Sequence, residues 1–140
     1  MSEMNLAYGN GDTSYQAAGG FEGLQKLAAA FYCAMDVLPE ARKIRAMHSS
    51  DLAESTDKLA RFLSGWLGGP KLYRETYGSI AIPRAHAHLD IDEAARDAWL
   101  KCMEVALSKQ PYQQSFKDYM LRELYTPAER SRIAAQKSQR

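Results

Sequence analysis

Four stretches of the chain carry apolar residues three and four positions apart, and glycine or proline breaks the chain beside them. A chain punctuated in this way can bury those stripes only by packing helices on one another. The first stretch starts at Gly20 and carries Phe21, Leu24, Leu27, Ala28, Phe31 and Met35, until Pro39 interrupts it. A short turn or helix is expected from there to Ile44. The second opens at Asp51, where Asp51 and Glu54 have the spacing of a capping box. Its stripe is Leu52, Leu59, Phe62, Leu63, Trp66 and Leu67, and Gly68-Gly69-Pro70 ends it sharply. In the third, Asp90 and Glu93 form the expected cap, and Ala95, Trp99, Cys102, Met103 and Ala106 form the buried side. Gln110-Pro111 breaks it. Phe116, Tyr119, Met120 and Leu124 mark the fourth. Thr126-Pro127-Ala128-Glu129 reads as the start of a separate short last helix, with proline at its first position. Residues 71–89 read as irregular, with one short helix, and Ser79-Ile80-Ala81-Ile82 is a strand-like run too short to build a sheet. The expected fold class is all-α.

The 140 residues suit one domain with a real core. Residues 1–15 are polar and read as a flexible or loosely docked arm, and the polar end from Ser131 is expected to fray. The formal net charge of +1 gives no electrostatic case for nucleic acid as a partner. No apolar run approaches the roughly 20 residues that span a bilayer. The first residues lack a basic segment followed by an apolar one. A cytoplasmic protein with no membrane partner is therefore expected. Cys33 and Cys102 fit no zinc or redox spacing and read as two buried thiols in a reducing compartment.

Chemistry has few places to reside. The histidines are His48, His86 and His88. His86-Ala87-His88-Leu89-Asp90 matches the H-x-H-x-D pattern of dinuclear metallo-hydrolases, but those sites need further histidines to complete two metal shells. A haem site asks for less: one neutral imidazole on the iron, an apolar slot that excludes water, and a few polar groups on the far face. His86 follows an irregular stretch and precedes a capped helix, so it can project into a cleft, and Ala85 and Ala87 leave room for a flat ring. Leu59, Phe62 and Leu63 are candidate walls. Tyr32 carries a phenol and Trp99 an indole N–H that can only donate. Taken alone, both aromatics read as plain core packing, the usual role of buried aromatics.

These residues together resemble a family, the group II truncated haemoglobins. Gly19-Gly20-Phe21 resembles the start of its first helices, and Phe31-Tyr32 its paired aromatics. Leu59-Ala60-Arg61-Phe62-Leu63, followed by Trp66-Leu67-Gly68-Gly69-Pro70, resembles its distal helix and exit. Ala85-His86-Ala87 resembles its proximal segment, and Arg96-Asp97-Ala98-Trp99-Leu100 the segment with the group's tryptophan. The likeness extends from about residue 18 to 124. It implies a truncated globin fold, helices packed two over two around b-type haem, with a polar extension over 1–17, a globin domain over 18–127 and a polar tail over 128–140. His86 takes the proximal position as the metal ligand, and His88 is read as exposed. Tyr32 and Trp99 become the distal donors. The loop between Tyr32 and Asp51 is about two residues longer than in some members, so His48 is the candidate for the distal bend and Met47 the alternative. Ser55 stands where ordinary globins carry the distal histidine. Lys58, Tyr73 and Arg84 are candidates for the haem propionates.

The implied activity is reversible binding of O2 and other diatomic gases at a five-coordinate iron. One rival is a redox enzyme that detoxifies nitric oxide or peroxide and takes electrons from a reductase partner. The other is a haem-free helical interaction module, which would not require His86, Tyr32 and Trp99 together.

Overall fold

Short helix α1 (Thr13–Ala17) leads into α2 (Gly20–Val37), and a 3-10 turn (Pro39–Ala41) and α3 (Arg42–Ala46) follow. Next come α4 (Ala53–Trp66), α5 (Leu72–Tyr77), α6 (Glu93–Ser108) and α7 (Gln114–Ser138). The computed structural model describes residues 8–78 and 91–138. Among the described residues there is no strand, as the all-α reading requires. The Ser79-Ile80-Ala81-Ile82 run lies outside the described residues.

Helix α2 is the hub. It packs on α4 and on α6, and α6 packs on α7, so the pairs α2/α4 and α6/α7 share one core. Leu24, Leu27, Phe31 and Met35 of α2 meet Leu63 of α4, Met103 and Leu107 of α6, and Phe116, Met120 and Leu124 of α7, all but completely buried. Each such side chain contributes about 1.5–3 kcal/mol when removed from water. The fully buried Cys102 belongs to this core and its thiol is pushed up to about 11 by burial; Cys33, expected beside it as a second buried thiol, is exposed. Position 33 falls on the outer side of α2, between Tyr32 and Ala34, which face inward.

The exit of α4 is built as Gly68-Gly69-Pro70 implies. Gly68 has φ +90°, its N–H bonds the Gly65 carbonyl at 3.1 Å, and the Gly69 N–H bonds the Ser64 carbonyl at 2.8 Å. Both bonds satisfy carbonyls that the helix end would orphan. The glycines also admit the N-terminal segment: a Cβ on Gly68 would lie 1.9 Å from the Gly11 carbonyl oxygen, and one on Gly69 2.4 Å from the Tyr15 ring. The arm read as loosely docked is in fact seated from Tyr8 onward. The Tyr8 ring packs on Phe116 and Tyr119, its hydroxyl and Ser115 Oγ are 2.9 Å apart, and the fully buried Ser14 accepts the Gly9 N–H. Tyr112 ties in the same corner by donating its hydroxyl to the Ala18 carbonyl at 2.9 Å.

Helix starts differ from expectation in an instructive way. Asp51 does not form a capping box: its carboxylate accepts the Ala53 N–H at 2.9 Å, and Glu54 pairs with Lys58 at 3.0 Å. The cap of α6 is Asp92 rather than Asp90, which lies outside the described residues. The Asp92 carboxylate accepts the Ala95 N–H at 2.8 Å, and Lys43 of α3 adds a bond at 3.2 Å. The first of these is the larger cause of its lowered pKa.

Thr126-Pro127 does not begin a separate helix, and the polar stretch from Ser131 is helical as far as Ser138. α7 runs through Pro127 to Ser138. A proline inside a helix removes one backbone bond and crowds the preceding turn, at a cost of about 3 kcal/mol. What offsets it lies beyond: Ser131 and Ala135 are buried, Gln136 Nε2 donates to the Ile91 carbonyl at 2.8 Å, and Glu129 receives both Arg96 and Arg132. Those two guanidinium groups, Arg132 foremost, hold the Glu129 carboxyl down to about 2. A carboxyl depressed by folding contributes stability above its ordinary pKa, and the contribution disappears as pH falls through the folded value. The stability difference between the unmodified protein and Glu129→Gln is therefore expected to be flat from neutrality to about pH 5. It should then shrink toward zero by about pH 2. Urea unfolding across that range measures it, and a difference unchanged down to pH 2 would assign the loss to packing instead.

Candidate functional site

Helix α2, helix α6 and the turn after α3 bring four of the residues singled out in the sequence, Phe31, Tyr32, Trp99 and His48, to one aromatic cluster. Phe31 and Tyr32 are neighbours on α2 with rings edge to face at 4.9 Å. Phe31 also meets the Trp99 ring of α6 at 5.0 Å. On its other side Tyr32 meets the ring of His48, edge to face at 5.5 Å. Tyr32 and Trp99, 67 positions apart in the chain, thus join the same cluster through Phe31.

The polar atoms of this cluster are in unusual circumstances. Tyr32 is 9% exposed, yet its hydroxyl makes no hydrogen bond among the described residues. Burial pushes its pKa up to about 12, so the phenol keeps its proton and remains a donor at any physiological pH. The Trp99 N–H likewise has no acceptor among the described residues, and an indole can only donate. His48 is half-buried, and its Nδ1 lies 2.8 Å from the Ile44 carbonyl oxygen. A carbonyl only accepts, so the neutral ring carries its proton on Nδ1 and leaves Nε2 as an acceptor. Met47, the other residue weighed for the bend, is half-buried.

Along α4, Leu59 and Phe62 are only half-buried although apolar, Phe62 stacking on Trp66 with centroids 6.3 Å apart. Leu100 of α6 and Ile91 before it are half-buried too. Leu63 is different: it is fully buried in the protein's own core, because it lies on the side of α4 that faces α2. Ser55 is half-buried on α4. Lys58 pairs with Glu54 and lies over the Tyr77 ring at 5.2 Å, and Tyr73 packs on Tyr77 at 5.1 Å. Lys58 and Tyr73 therefore share the α4/α5 flank. His86, His88 and Arg84 lie outside the described residues, and with them the H-x-H-x-D pattern.

Sequence reasoning missed two arrangements. Asp57 accepts the Tyr77 hydroxyl at 2.7 Å and the Arg61 Nε at 2.8 Å, which fastens α5 to α4; the Tyr77 bond is the larger cause of its lowered pKa. Asp57 and Arg61 are four apart on one helix face and were legible as a pair, but nothing in the sequence announces Tyr77. The second arrangement is the bridging role of Phe31, which periodicity alone places in the core.

Residues 13–130 match the model of the bacterial-like globin family. The chain belongs to that family. This globin is 38% identical over 64 residues to group 2 truncated hemoglobin YjbI of Bacillus subtilis (strain 168), a stretch that covers 46% of this chain and about half, 48%, of that relative. Among solved structures it resembles the group II 2-on-2 hemoglobin of the plant pathogen Agrobacterium tumefaciens, with a TM-score of 0.80 and 32% identity over 94% of this chain and 97% of that one. It also resembles the truncated oxygen-avid haemoglobin of Bacillus subtilis, with a TM-score of 0.76 and 30% identity over 84% of this chain and 97% of that one. This globin is thus a group II truncated haemoglobin of the two-over-two fold, and its family implies haem binding and diatomic gases as ligands. The residues fit such a group: apolar side chains of α4 and α6 retain uncovered surface, and the phenol of the nearly buried Tyr32 has no hydrogen-bond partner among the described residues. Among the described residues, no helix is long and apolar enough to cross a membrane.

Proposed function

We propose that the protein holds b-type haem on His86 and binds O2 and other diatomic gases reversibly, with Tyr32 and Trp99 as hydrogen-bond donors to the ligand. The observation that carries this reading is the Tyr32 hydroxyl: a protonated donor on a nearly buried side chain, with no partner among the described residues. A donor that sits on a nearly buried ring and spends its proton on no described residue is available to an acceptor that enters the site. Haem supplies, when bound, an iron with an open position and electron density for a diatomic ligand. The chain supplies the rest. Leu59 and Phe62 present apolar surface that excludes water, Trp99 adds a second donor, and His48 borders Tyr32. Leu63, read in the sequence as a third wall, is buried in the core. Lys58, Tyr73 and Arg84 are proposed for the propionates, and Lys58 would exchange its partner Glu54 for one of them.

The same donors suit a redox enzyme acting on nitric oxide or peroxide, which would take electrons from a reductase. Reversible binding is preferred because the described cluster brings two donors, Tyr32 and Trp99, together around Phe31, which suits holding a bound gas. The proposed setting is cytoplasmic. The test is cycling: the reduced protein is exposed to O2, returned to vacuum or argon, and its visible spectrum followed through repeated rounds. The reduced spectrum should return each time. Oxidation on every round, faster than release, would overturn reversible binding in favour of redox turnover.

A further inference from the structure

One arginine ties the turn that carries His48 to the end of α2, beside the bond that Ser49 Oγ donates to the Asp51 carbonyl at 2.6 Å within the turn. Arg45, on the last turn of α3, uses all three guanidinium nitrogens: Nε donates to the Asp36 carboxylate on the last turn of α2, Nη1 to the Ser49 carbonyl at 3.0 Å and Nη2 to the Ser50 carbonyl at 3.2 Å. The Arg45 carbonyl also accepts the His48 N–H at 3.1 Å. The two carbonyls follow His48 directly. The imidazole is fixed from the other side by the Ile44 carbonyl, and its ring then stands edge to face with Tyr32. Tyr32 in turn lies between His48 and Phe31. A planar fork suits this task because it binds several oxygens at once in fixed directions, which an ammonium cannot do.

We infer that Arg45 is a positioning residue of the distal site: by clamping the 47–51 turn it holds the His48 ring against Tyr32 and keeps the phenol in its donor pose. This rests on the reading of Tyr32 as the ligand's donor. Arg45 touches no ligand itself. Without the guanidinium, the Ser49 and Ser50 carbonyls turn to water, the turn gains freedom, and Tyr32 loses one of its two flanking rings.

The test has two arms. The first needs no haem: the ring nitrogens of His48 are observed by 15N NMR in the full-length apoprotein, at a pH where the ring is neutral. The unmodified protein should show the Nδ1-protonated form, and Arg45→Met should move the ring toward the Nε2-protonated form that free histidine prefers. The second is stopped-flow O2 release from the haem-loaded protein. Arg45→Met should speed release by up to about fivefold, the factor that one net hydrogen bond is worth. It should add little in a Tyr32→Phe background, because the effect passes through Tyr32. Arg45→Lys should fall between, since it can keep the Asp36 pair but cannot hold both carbonyls. Asp36→Asn, at a half-exposed carboxylate, loosens the same anchor and replaces Arg45→Met if that variant does not fold. Unchanged His48 signals, or an equal effect on O2 release with and without the Tyr32 hydroxyl, would overturn the assignment. If the unmodified protein binds no haem, the functional reading fails, while the NMR arm still decides whether Arg45 sets the ring.

Discussion

The His86→Ala protein is expected to lose its haem during gel filtration, while His88→Ala keeps it with an unchanged spectrum. The argument is one of ligand supply. The family's haem requires one imidazole on the proximal side, and the three histidines of this chain are not interchangeable. His48 stands beside Tyr32, on the side proposed for the gas ligand. His86 matches the proximal segment of the family and His88 does not, so His88 is not expected to replace it on the iron. A coordinate bond worth even about 3 kcal/mol corresponds to a factor of about 100 in retention. Transfer of haem to an excess of apomyoglobin should therefore be faster by at least about that factor in His86→Ala. Added imidazole should restore a low-lying part of the lost retention by filling the vacated place. Far-UV circular dichroism of the apoprotein separates loss of the ligand from loss of the fold. If His88→Ala, and not His86→Ala, sheds haem, the proximal assignment is wrong.

Removing the distal donors should act on O2 release rather than on haem retention. Tyr32→Phe deletes an oxygen and leaves the ring contacts with Phe31 and His48 in place, and Trp99→Phe deletes the N–H while keeping an aromatic against Phe31. Each net hydrogen bond is worth about 1 kcal/mol, and about fivefold in a release rate, with more expected where water is excluded. Both single variants should release O2 at least about fivefold faster. The double variant should be fastest, but with energies that do not add, because the remaining donor readjusts when the other is removed. Carbon monoxide, which accumulates less charge than O2, should respond less. Stopped-flow release of both gases from the four proteins completes the cycle. Unchanged O2 release in both single variants would reduce Tyr32 and Trp99 to packing. The burial that pushes the Tyr32 pKa up to about 12 further implies that O2 release shows no phenol titration at physiological pH.

Much of the fold was legible because its signals are redundant. The dense stripe of α2 from Phe21 to Met35, stopped by Pro39, fixes that helix from both ends. Gly68-Gly69-Pro70 ends α4 through backbone bonds that no other residue pair would permit so cheaply. Helix starts were harder, because a carboxylate can cap from more than one position. Asp90 and Asp92 both precede α6, and the rule that seeks glutamate three residues on selects the first, whereas Ala95 offers its N–H to the second. Glu54 likewise satisfies the box spacing after Asp51 but finds Lys58 one turn along. Local signals failed where distant contacts decide. Thr126-Pro127 has every mark of a helix start, yet Arg96, Ile91 and the buried Ala135 hold α7 continuous across it. The polar arm hides Tyr8 and Ser14, whose partners lie near residue 116 and within the arm itself.

The candidate site divides in the same manner. Tyr32 and Trp99 are prominent residues, but only the folded chain brings both to Phe31. The sequence favoured His48 over Met47 at the bend by resemblance, and its ring lies against Tyr32. The clamp by Arg45 could not be read at all, since it spends an ordinary surface arginine on two backbone carbonyls. Periodicity also cannot separate Leu63, which faces the core, from Leu59 and Phe62, which keep free surface.

The central claim is that this chain folds around haem held by a single histidine with an open position opposite. Titration of the full-length apoprotein with hemin, followed by reduction and addition of carbon monoxide, tests it in one cuvette. The account predicts a Soret band that rises to a sharp break at one equivalent, a five-coordinate ferrous spectrum, and a shift of the band when carbon monoxide is added. A titration without a break, or a ferrous spectrum that carbon monoxide leaves unmoved, would contradict it.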